Sequence, residues 1–177
     1  MSAGLTASTT HHLSRWWLVR DVLLVLAVFA VVGALGGLVW ELWWSPPSGV
    51  VVDRAWVPDD EGVRELFSGT ALYVVVGLTC GVLAGAACAW FFDRVEVLTL
   101  VAVAAGSVLA AWLMLHVGLA LAPPDPAGLA ATATEGTQVP GALEVEGEGA
   151  LASLPAGALT GLVVVFIGLA PTRPSRS

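Results

Sequence analysis

Four long runs of apolar residues, separated by polar segments, dominate the pattern of the chain. At about 1.5 Å of helix per residue, the first three runs are long enough to cross a hydrocarbon core of roughly 30 Å, and the fourth reaches that length if its helix begins one turn earlier. The pattern therefore predicts an all-α membrane protein, built as a bundle of four transmembrane helices. The runs are Val22 to Trp40, Leu72 to Phe92, Val97 to Leu121 and Leu154 to Ala170.

The aromatic and polar residues beside these runs set the predicted limits of each element. Trp16 and Trp17 precede the first run, and Trp43 and Trp44 follow it, which is typical of the aromatic belts at the two membrane surfaces. We place transmembrane helices at residues 16–44, 70–92, 97–121 and 154–170, outer loops at 45–69 and 122–153, a link at 93–96, and tails at 1–15, which we expect to be disordered, and at 171–177.

The arginines lie mainly on one side of the predicted bundle. Positively charged residues are retained on the cytoplasmic side of a membrane, so their distribution predicts orientation. Five arginines lie on the side of the N-terminus, and only Arg54 and Arg64 lie opposite. We therefore expect a multi-pass protein of the plasma membrane with both termini in the cytoplasm. The five are Arg15, Arg20, Arg94, Arg173 and Arg176.

The composition agrees with a membrane protein and argues against nucleic acid as a partner. Hydrophobic residues make up 57% of the chain and charged residues 12%, whereas soluble domains contain roughly 25% charged residues. The net charge is -7, and all seven basic residues are arginines. Because binding to nucleic acid requires clustered cations that neutralise phosphates, the expected partner is the lipid bilayer, and we expect no nucleic acid and no nucleotide.

Two outer segments show patterns of β-strands. Residues Gly49 to Val57 are rich in β-branched and apolar side chains, and Leu143 to Glu146 alternate apolar and acidic residues. Both segments lie on the same side of the predicted bundle. We therefore predict a small extracytoplasmic β-hairpin or two-stranded sheet, in which Val50 to Val57 pairs with Leu143 to Glu146. A lone two-stranded ribbon is marginal unless helix ends or a partner protein cover it.

The outer segments are also strongly acidic. They contain ten carboxylates and two arginines, so their predicted charge is about −8, which would attract cations or basic partners. The ten are Asp53, Asp59, Asp60, Glu61, Glu65, Asp125, Glu135, Glu144, Glu146 and Glu148.

Small residues recur at intervals of four within the predicted spans. In lipid there is little hydrophobic drive between helices, so close approach of backbones carries their association. The spacing therefore predicts helix contacts, either inside the four-helix bundle or with a membrane-protein partner or a second copy. The candidate residues are Gly33, Gly37, Gly77, Gly81, Gly85, Gly106, Gly157 and Gly161.

Glu41 and His116 are the ionisable residues that the pattern places nearest to membrane depth. Both fall near the outer ends of their spans, so a contact between them is geometrically feasible. A neighbouring carboxylate would raise the pKa of the histidine and could form a pH-responsive latch. The alternative is that each side chain reaches headgroup water independently.

The sequence contains no pattern that predicts catalysis, a cofactor or a metal. The Walker loop, the GxSxG elbow and the HExxH pair are absent. His11 and His12 are too sparse for a closed metal site, and Asp59, Asp60 and Glu61 lack the ligand spacing of a calcium loop. We therefore expect a protein that is not an enzyme and that holds no cofactor and no metal.

Several short hydrophobic motifs resemble a known family. Their arrangement from Leu38 to Ala170 is similar to that of small actinobacterial four-span membrane proteins, a family known only as a domain of unknown function. The resemblance implies a four-span envelope protein and supplies no active site. The segment from Ala127 to Thr137 departs from the pattern as an insertion. The motifs are Leu38-Val39-Trp40, Pro46-Pro47, Gly49-Val50-Val51 and Ala89-Trp90, then an arginine-bearing link and a fourth span after a long outer loop.

The sequence is compatible with three functions. The first is a non-enzymatic accessory or assembly protein of the bacterial cell envelope, with the outer sheet and the glycine-rich second span as docking surfaces. The second is a small oligomeric channel or transporter with an acidic outer vestibule, although the spans carry no polar stripe to line a pore. The third is an envelope or pH sensor that acts through a partner, since the inner segments are too short for an output domain.

Overall fold

The computed structural model describes residues 9–91, 96–145 and 147–168. The fold is mostly helical, with four long apolar helices and one small sheet. Four helical segments, the fourth being Gly149–Gly168, have the length and composition to cross a membrane, which confirms that part of the prediction. In chain order the elements are α1 (Thr9–Trp43), β1 (Ser48–Val52), β2 (Ala55–Pro58), α2 (Gly62–Glu65), α3 (Ser68–Phe91), α4 (Glu96–Leu121), α5 (Pro126–Ala130), β3 (Gln138–Pro140), α6 (Glu148–Leu151) and α7 (Ser153–Gly168).

The first helix begins earlier than its apolar run. Residues 9–15 form its first turns, so this part of the chain is not the disordered tail that the polar composition predicted. Extending an existing helix adds one hydrogen bond for each residue that is fixed, which lets polar residues continue the helix beyond the apolar span. Residues 1–8, residues 93–95 of the predicted link 93–96, and the predicted tail from 171 to 177 lie outside the described residues, whereas Glu96 begins α4.

The four long helices associate as two parallel pairs. The most extensive contacts join α1 to α4 and α3 to α7. In the first pair, Gly33 lies against the Ala110 carbonyl, and Gly37 lies against Met114 one turn further along both helices. Because the contacting residue numbers rise together, the two helices run in the same direction.

Glycines bring the backbones of α3 and α7 together from both sides. A side chain at Gly81 would overlap the Leu154 carbonyl, and a side chain at Gly157 would overlap the Leu78 carbonyl. Only residues without a Cβ permit this approach, which increases van der Waals contact along the helices. In the same pair, Gly77 lies against Ser153, Gly85 against Ala158 and Gly161 against Val82.

An aromatic pair joins the two helix pairs near the sheet. Trp40 of α1 is fully buried, and its indole Nε1 donates a hydrogen bond of 2.8 Å to the Gly69 carbonyl of α3. The Tyr73 ring of α3 lies edge-on to Trp40, with 5.0 Å between ring centroids. The Tyr73 hydroxyl donates a hydrogen bond of 2.9 Å to the Ala111 carbonyl of α4. These contacts connect three helices and satisfy both buried polar groups.

The sheet has three antiparallel strands in the order β2-β1-β3. The small sheet is therefore present, but the predicted pairing of Val50 to Val57 with Leu143 to Glu146 is wrong, because β1 pairs with β2 and β3. The stretch from Val50 to Val57 is a hairpin, because Asp53 and Arg54 take left-handed backbone conformations, with φ of 52° and 62°. The strand that joins the hairpin is Gln138–Pro140. Leu143, in the segment that was expected to pair, instead packs in the core of the helix bundle and is 3% exposed.

Replacement of Gly81 by leucine should destabilise the fold, because the new side chain would meet the Leu154 carbonyl and the Ala158 amide nitrogen. We expect the free energy of unfolding to fall by about 1–3 kcal/mol, the usual cost of overpacking. Thermal unfolding of the protein in mild detergent, followed by tryptophan fluorescence, measures the effect. Gly168→Leu is the control, since no described atom lies within 4 Å of the Cβ position there. Equal melting temperatures for the two variants would contradict the close approach of α3 and α7 at Gly81.

Candidate docking surface

The hairpin turn of the sheet is held by a side chain from a distant part of the chain. The carboxylate of Glu135 accepts hydrogen bonds from the backbone amides of Asp53, at 3.1 Å, and Arg54, at 3.3 Å. Beside it, the Gly136 amide donates to the Val51 carbonyl at 2.9 Å. The hairpin turn is therefore fixed to the segment that precedes β3. The bonds to Glu135 are stronger than ordinary ones because the acceptor is charged.

One face of the sheet has a small core of its own. Val51 is fully buried and packs with Val139 of β3 and Ala130 of α5. Trp56 lies across Gly49, which has no side chain, and its Nε1 donates a hydrogen bond of 2.9 Å to the Val139 carbonyl. The indole of Trp56 therefore crosses all three strands and ties them together.

The helix over this face, α5, begins with a clear capping signal. Asp125 precedes it and accepts a hydrogen bond of 2.9 Å from the Ala127 amide, and Pro126 occupies the first turn. An aspartate cap followed by proline at the first helical position is a typical helix start. The cap places Ala130 over Val51.

The opposite face of the sheet carries apolar side chains that are exposed at Val52, Ala55 and Val57 and half-buried at Val50. Side chains alternate across a strand, so Val50 and Val52 of β1 lie with Ala55 and Val57 of β2 on the side away from α5. Val52 is 45% exposed and Val57 is 42% exposed. We call the surface formed by Val50, Val52, Ala55 and Val57 the valine face.

Acidic side chains lie at both ends of the valine face. Asp53 and Glu135 stand at the hairpin turn, where Arg54 is the neighbouring cation. Asp60 and Glu61 follow β2 at the other end, and both are exposed. The valine face is therefore an apolar strip with acidic groups at both ends.

Asp59 stabilises the segment that follows β2 through two hydrogen bonds. Its Oδ1 accepts hydrogen bonds from the Ser48 hydroxyl, at 2.6 Å, and from the Gly62 amide, at 2.8 Å. The Ser48 hydroxyl and then the Gly62 amide lower the pKa of Asp59 from its ordinary value of 3.8, because both stabilise the charged carboxylate. The two bonds connect the start of β1 to the helical turn α2.

The segment after β3 fixes the sheet to the helices. The Gly141 amide donates a hydrogen bond of 2.8 Å to the Pro47 carbonyl, which joins this segment to the chain that leaves α1. Leu143 then packs beside Gly69 at the start of α3, and the buried Trp44 packs beside the same glycine. The start of the sheet and the loop after it are therefore both anchored at the same end of the bundle.

The predicted pair of Glu41 and His116 lies near the sheet end of α1 and α4. Within the described residues, no hydrogen bond or ion pair joins them. His116 is exposed, stacks on Trp112 at 4.0 Å between ring centroids, and its Nδ1 lies 2.8 Å from the Trp112 carbonyl, to which it donates. The hydrogen-bond partner of His116 is therefore the Trp112 carbonyl, one helical turn earlier, and not the predicted Glu41 carboxylate.

The eight predicted glycines all lie at contacts between helices of this chain. Those of the second span, Gly77, Gly81 and Gly85, are covered by α7. Gly106 lies against the Phe29 ring of α1. The glycine surface of the second span, which sequence reasoning offered as a docking surface, is therefore occupied within the chain.

Three of the ten predicted outer carboxylates hold the local structure. Asp59, Asp125 and Glu135 each accept backbone amide hydrogen bonds. The side chains of Glu146 and Glu148 lie outside the described part of the chain. Among residues 9–91, 96–145 and 147–168, no group of three histidine, cysteine or acidic side chains is placed to hold a metal ion.

Sequence reasoning missed the turn at Asp53 and Arg54 and the role of Glu135. A usable signal was present, because this charged pair interrupts an otherwise apolar stretch, and aspartate tolerates the left-handed conformation better than most residues. The bond from Glu135 had no signal in a single sequence, since 82 residues separate it from Asp53.

Comparisons of the chain with models of protein families, with curated proteins and with solved structures find no match. The resemblance to the small actinobacterial family therefore stays a prediction.

Acidification should weaken the hydrogen bonds that the Asp59 carboxylate accepts from Ser48 and Gly62. A carboxylate whose folded-state pKa is lowered stabilises the fold above its unfolded-state pKa, and that contribution is lost as the pH falls through the folded-state pKa. We expect the Gly62 amide resonance to shift with pH below the ordinary value of 3.8 and the Asp59→Asn variant to lack this shift. NMR of the detergent-solubilised protein measures it, with Asp60→Asn as the control. A shift that persists in Asp59→Asn would contradict the assignment.

Removal of the Glu135 carboxylate should loosen the hairpin turn. In Glu135→Ala, the amides of Asp53 and Arg54 lose their acceptor. We expect hydrogen exchange at these two amides to become about fivefold to tenfold faster, as for the loss of roughly one hydrogen bond. Glu61→Ala, a change at an exposed carboxylate outside the turn, is the control. Unchanged hydrogen exchange at the two amides in Glu135→Ala would show that Glu135 does not stabilise the turn.

Proposed function

We propose that this chain is an integral plasma-membrane protein of a bacterial cell envelope and that it acts as a non-enzymatic accessory or assembly protein. In this proposal the chain crosses the membrane four times, both termini are cytoplasmic, and the valine face docks a partner on the outer side. The observation that carries the docking role is the valine face, an exposed apolar surface on a sheet whose other face is buried.

The exposed surfaces of the long helices support the membrane placement. Leu23, Leu35, Val75, Leu83 and Val101 are all exposed, which would be unfavourable in water and is ordinary in lipid. Exposed aromatic rings lie near both ends of the helices, as membrane interfaces favour. They are Trp16, Trp17, Trp90 and Phe91 at one end, and Trp43 and Phe67 at the other.

The arginine distribution supports the orientation. Arg20 lies near the beginning of α1, at the end of the bundle away from the sheet, whereas the sheet end is mainly acidic. Positive residues are retained in the cytoplasm, so the sheet is expected outside. The parallel pairs agree with this arrangement, since α1 and α4 would both run outward and α3 and α7 would both run inward.

The rigidity of the sheet supports a docking role. Glu135, Trp56 and Asp59 each fix one part of the sheet with hydrogen bonds. A surface that is already ordered loses little conformational entropy when a partner binds. By contrast, the glycines of α3 are covered by α7, so the proposed docking surface is the sheet alone.

The acidic ends of the valine face define the expected partner. Complementary charge speeds association and fixes register. We therefore expect an envelope membrane protein whose outer part presents apolar residues with lysine or arginine on either side. A second copy of this chain fits less well, because two acidic surfaces would repel each other.

A polar residue within the valine face should abolish docking without unfolding the protein. Val57→Asp introduces a carboxylate at a position that is 42% exposed, so the sheet tolerates it and an apolar partner does not. The experiment is a pull-down of the tagged full-length protein from its native membrane in mild detergent, with native mass measurement of the complex. We expect the parent to retain one partner in fixed stoichiometry and Val57→Asp to lose it.

Val63→Asp is the matched control, since Val63 is 52% exposed at the same end of the molecule but lies in α2, outside the sheet. This variant should retain the partner. Equal retention by Val57→Asp, or the absence of any stoichiometric partner from the parent, would contradict the docking role.

A further inference from the structure

A groove of about 490 Å³ lies beside the sheet end of α4, apart from the valine face. Its walls are Leu115 and Leu119 of α4, Leu143 and Val145 of the segment after β3, and Leu151 of α6. The volume falls within the range of sites for small molecules, roughly 300–1,000 Å³. The groove is therefore large enough to hold part of an extended molecule rather than a single solvent molecule.

Among the described residues that line this groove, Glu144 is the charged one. It is exposed, and within the described part of the chain no hydrogen bond or ion pair joins its carboxylate to another group. A carboxylate accepts hydrogen bonds and donates none, so the complement that it lacks is a cation with N–H groups. The groove is therefore complementary to an occupant that is apolar along most of its length and carries an amine at one end.

The position of the groove indicates where such an occupant comes from. Leu121 ends α4, and Leu115 lies six residues earlier, about 9 Å along the helix at 1.5 Å per residue. In the proposed membrane placement this depth is the boundary between headgroups and acyl chains. The nearest abundant molecules with an apolar chain and a headgroup at that boundary are the lipids themselves.

We infer that the groove binds a phospholipid with a primary amine, such as phosphatidylethanolamine, with an acyl chain along Leu115 and Leu119 and the ammonium group at Glu144. An acyl chain gains little by moving from the bilayer into an apolar groove, because both surroundings are hydrocarbon. Selectivity therefore comes from the headgroup. An anionic headgroup is repelled by Glu144, and a quaternary ammonium has no N–H to donate.

The inference rests on the membrane placement under the proposed function, but it does not depend on the docking partner. It is tested with the full-length protein in nanodiscs that contain equal amounts of phosphatidylethanolamine, phosphatidylcholine and phosphatidylglycerol. Native mass spectrometry then identifies the lipids that stay bound after the nanodisc is removed. We expect the parent to retain phosphatidylethanolamine about threefold over the other two, as for one ion pair near the surface.

Two pairs of variants separate the headgroup from the chain. Glu144→Gln should lose the preference for phosphatidylethanolamine, whereas Asp60→Asn, at an exposed carboxylate outside the groove, should keep it. Leu119→Trp should fill the groove and reduce retention of every lipid. Leu109→Trp, at a residue of the same helix that is 38% exposed and does not line the groove, should leave retention unchanged.

Equal retention of the three lipids by the parent, or an unchanged preference in Glu144→Gln, would overturn the lipid site and leave the docking role intact. A protein chain bound in place of lipid, lost in Leu119→Trp, would assign the groove to a peptide and overturn the site as well. A parent protein that does not enter nanodiscs would overturn the membrane placement and the lipid site with it.

Discussion

The close approach of helix backbones is the constraint on which the rest of this structure depends. In both parallel pairs, glycines place one backbone against the carbonyls of the next, where even a methyl group would not fit. Apolar side chains alone could not select such pairs in lipid, because lipid and protein are similarly apolar. The pairing in turn decides where each loop emerges, and so it brings the chain leaving α1 beside the start of α3 and the segment after β3.

The aromatic contact at the sheet end makes one unit of the two pairs. Trp40 contacts α3 through both its ring and its indole nitrogen, and Tyr73 continues the connection to α4. A buried indole or phenol is unfavourable unless its polar atom is paired, and both of these hydrogen bonds are made. The contacts therefore connect α1, α3 and α4 at the end of the bundle where the sheet lies.

The sequence predicted the helices well and the sheet poorly, for a physical reason. A long apolar run is a local signal, and the runs from Leu72 and Val97 gave helices close to their expected limits. Strand pairing depends on distant residues, and Gln138 to Pro140 gave no local sign of joining β1. The alternation of apolar and acidic residues around Leu143 wrongly predicted a strand, because its apolar residues pack in the core of the helix bundle.

The candidate surface was predictable only in part. The acidity of the outer segments was evident from composition, and the apolar character of Val50 to Val57 was read correctly. The face on which each side chain lies required the turn at Asp53, since one residue of shift exchanges the two faces of a strand. The unpaired Glu144 and its groove depend on where the segment after β3 crosses α4, which no periodicity encodes.

The parallel pairing also has a consequence for how the chain is made. Neither pair consists of helices that follow each other along the chain, because α1 joins α4 and α3 joins α7. Helices that enter a bilayer in order of synthesis would leave α1 without its main partner until α4 emerges, and α3 without its own until α7 does. In the proposed membrane placement, formation of the native contacts would therefore wait for the second half of the protein, and during that interval glycine-lined helix surfaces would be open to other membrane proteins and to insertion factors.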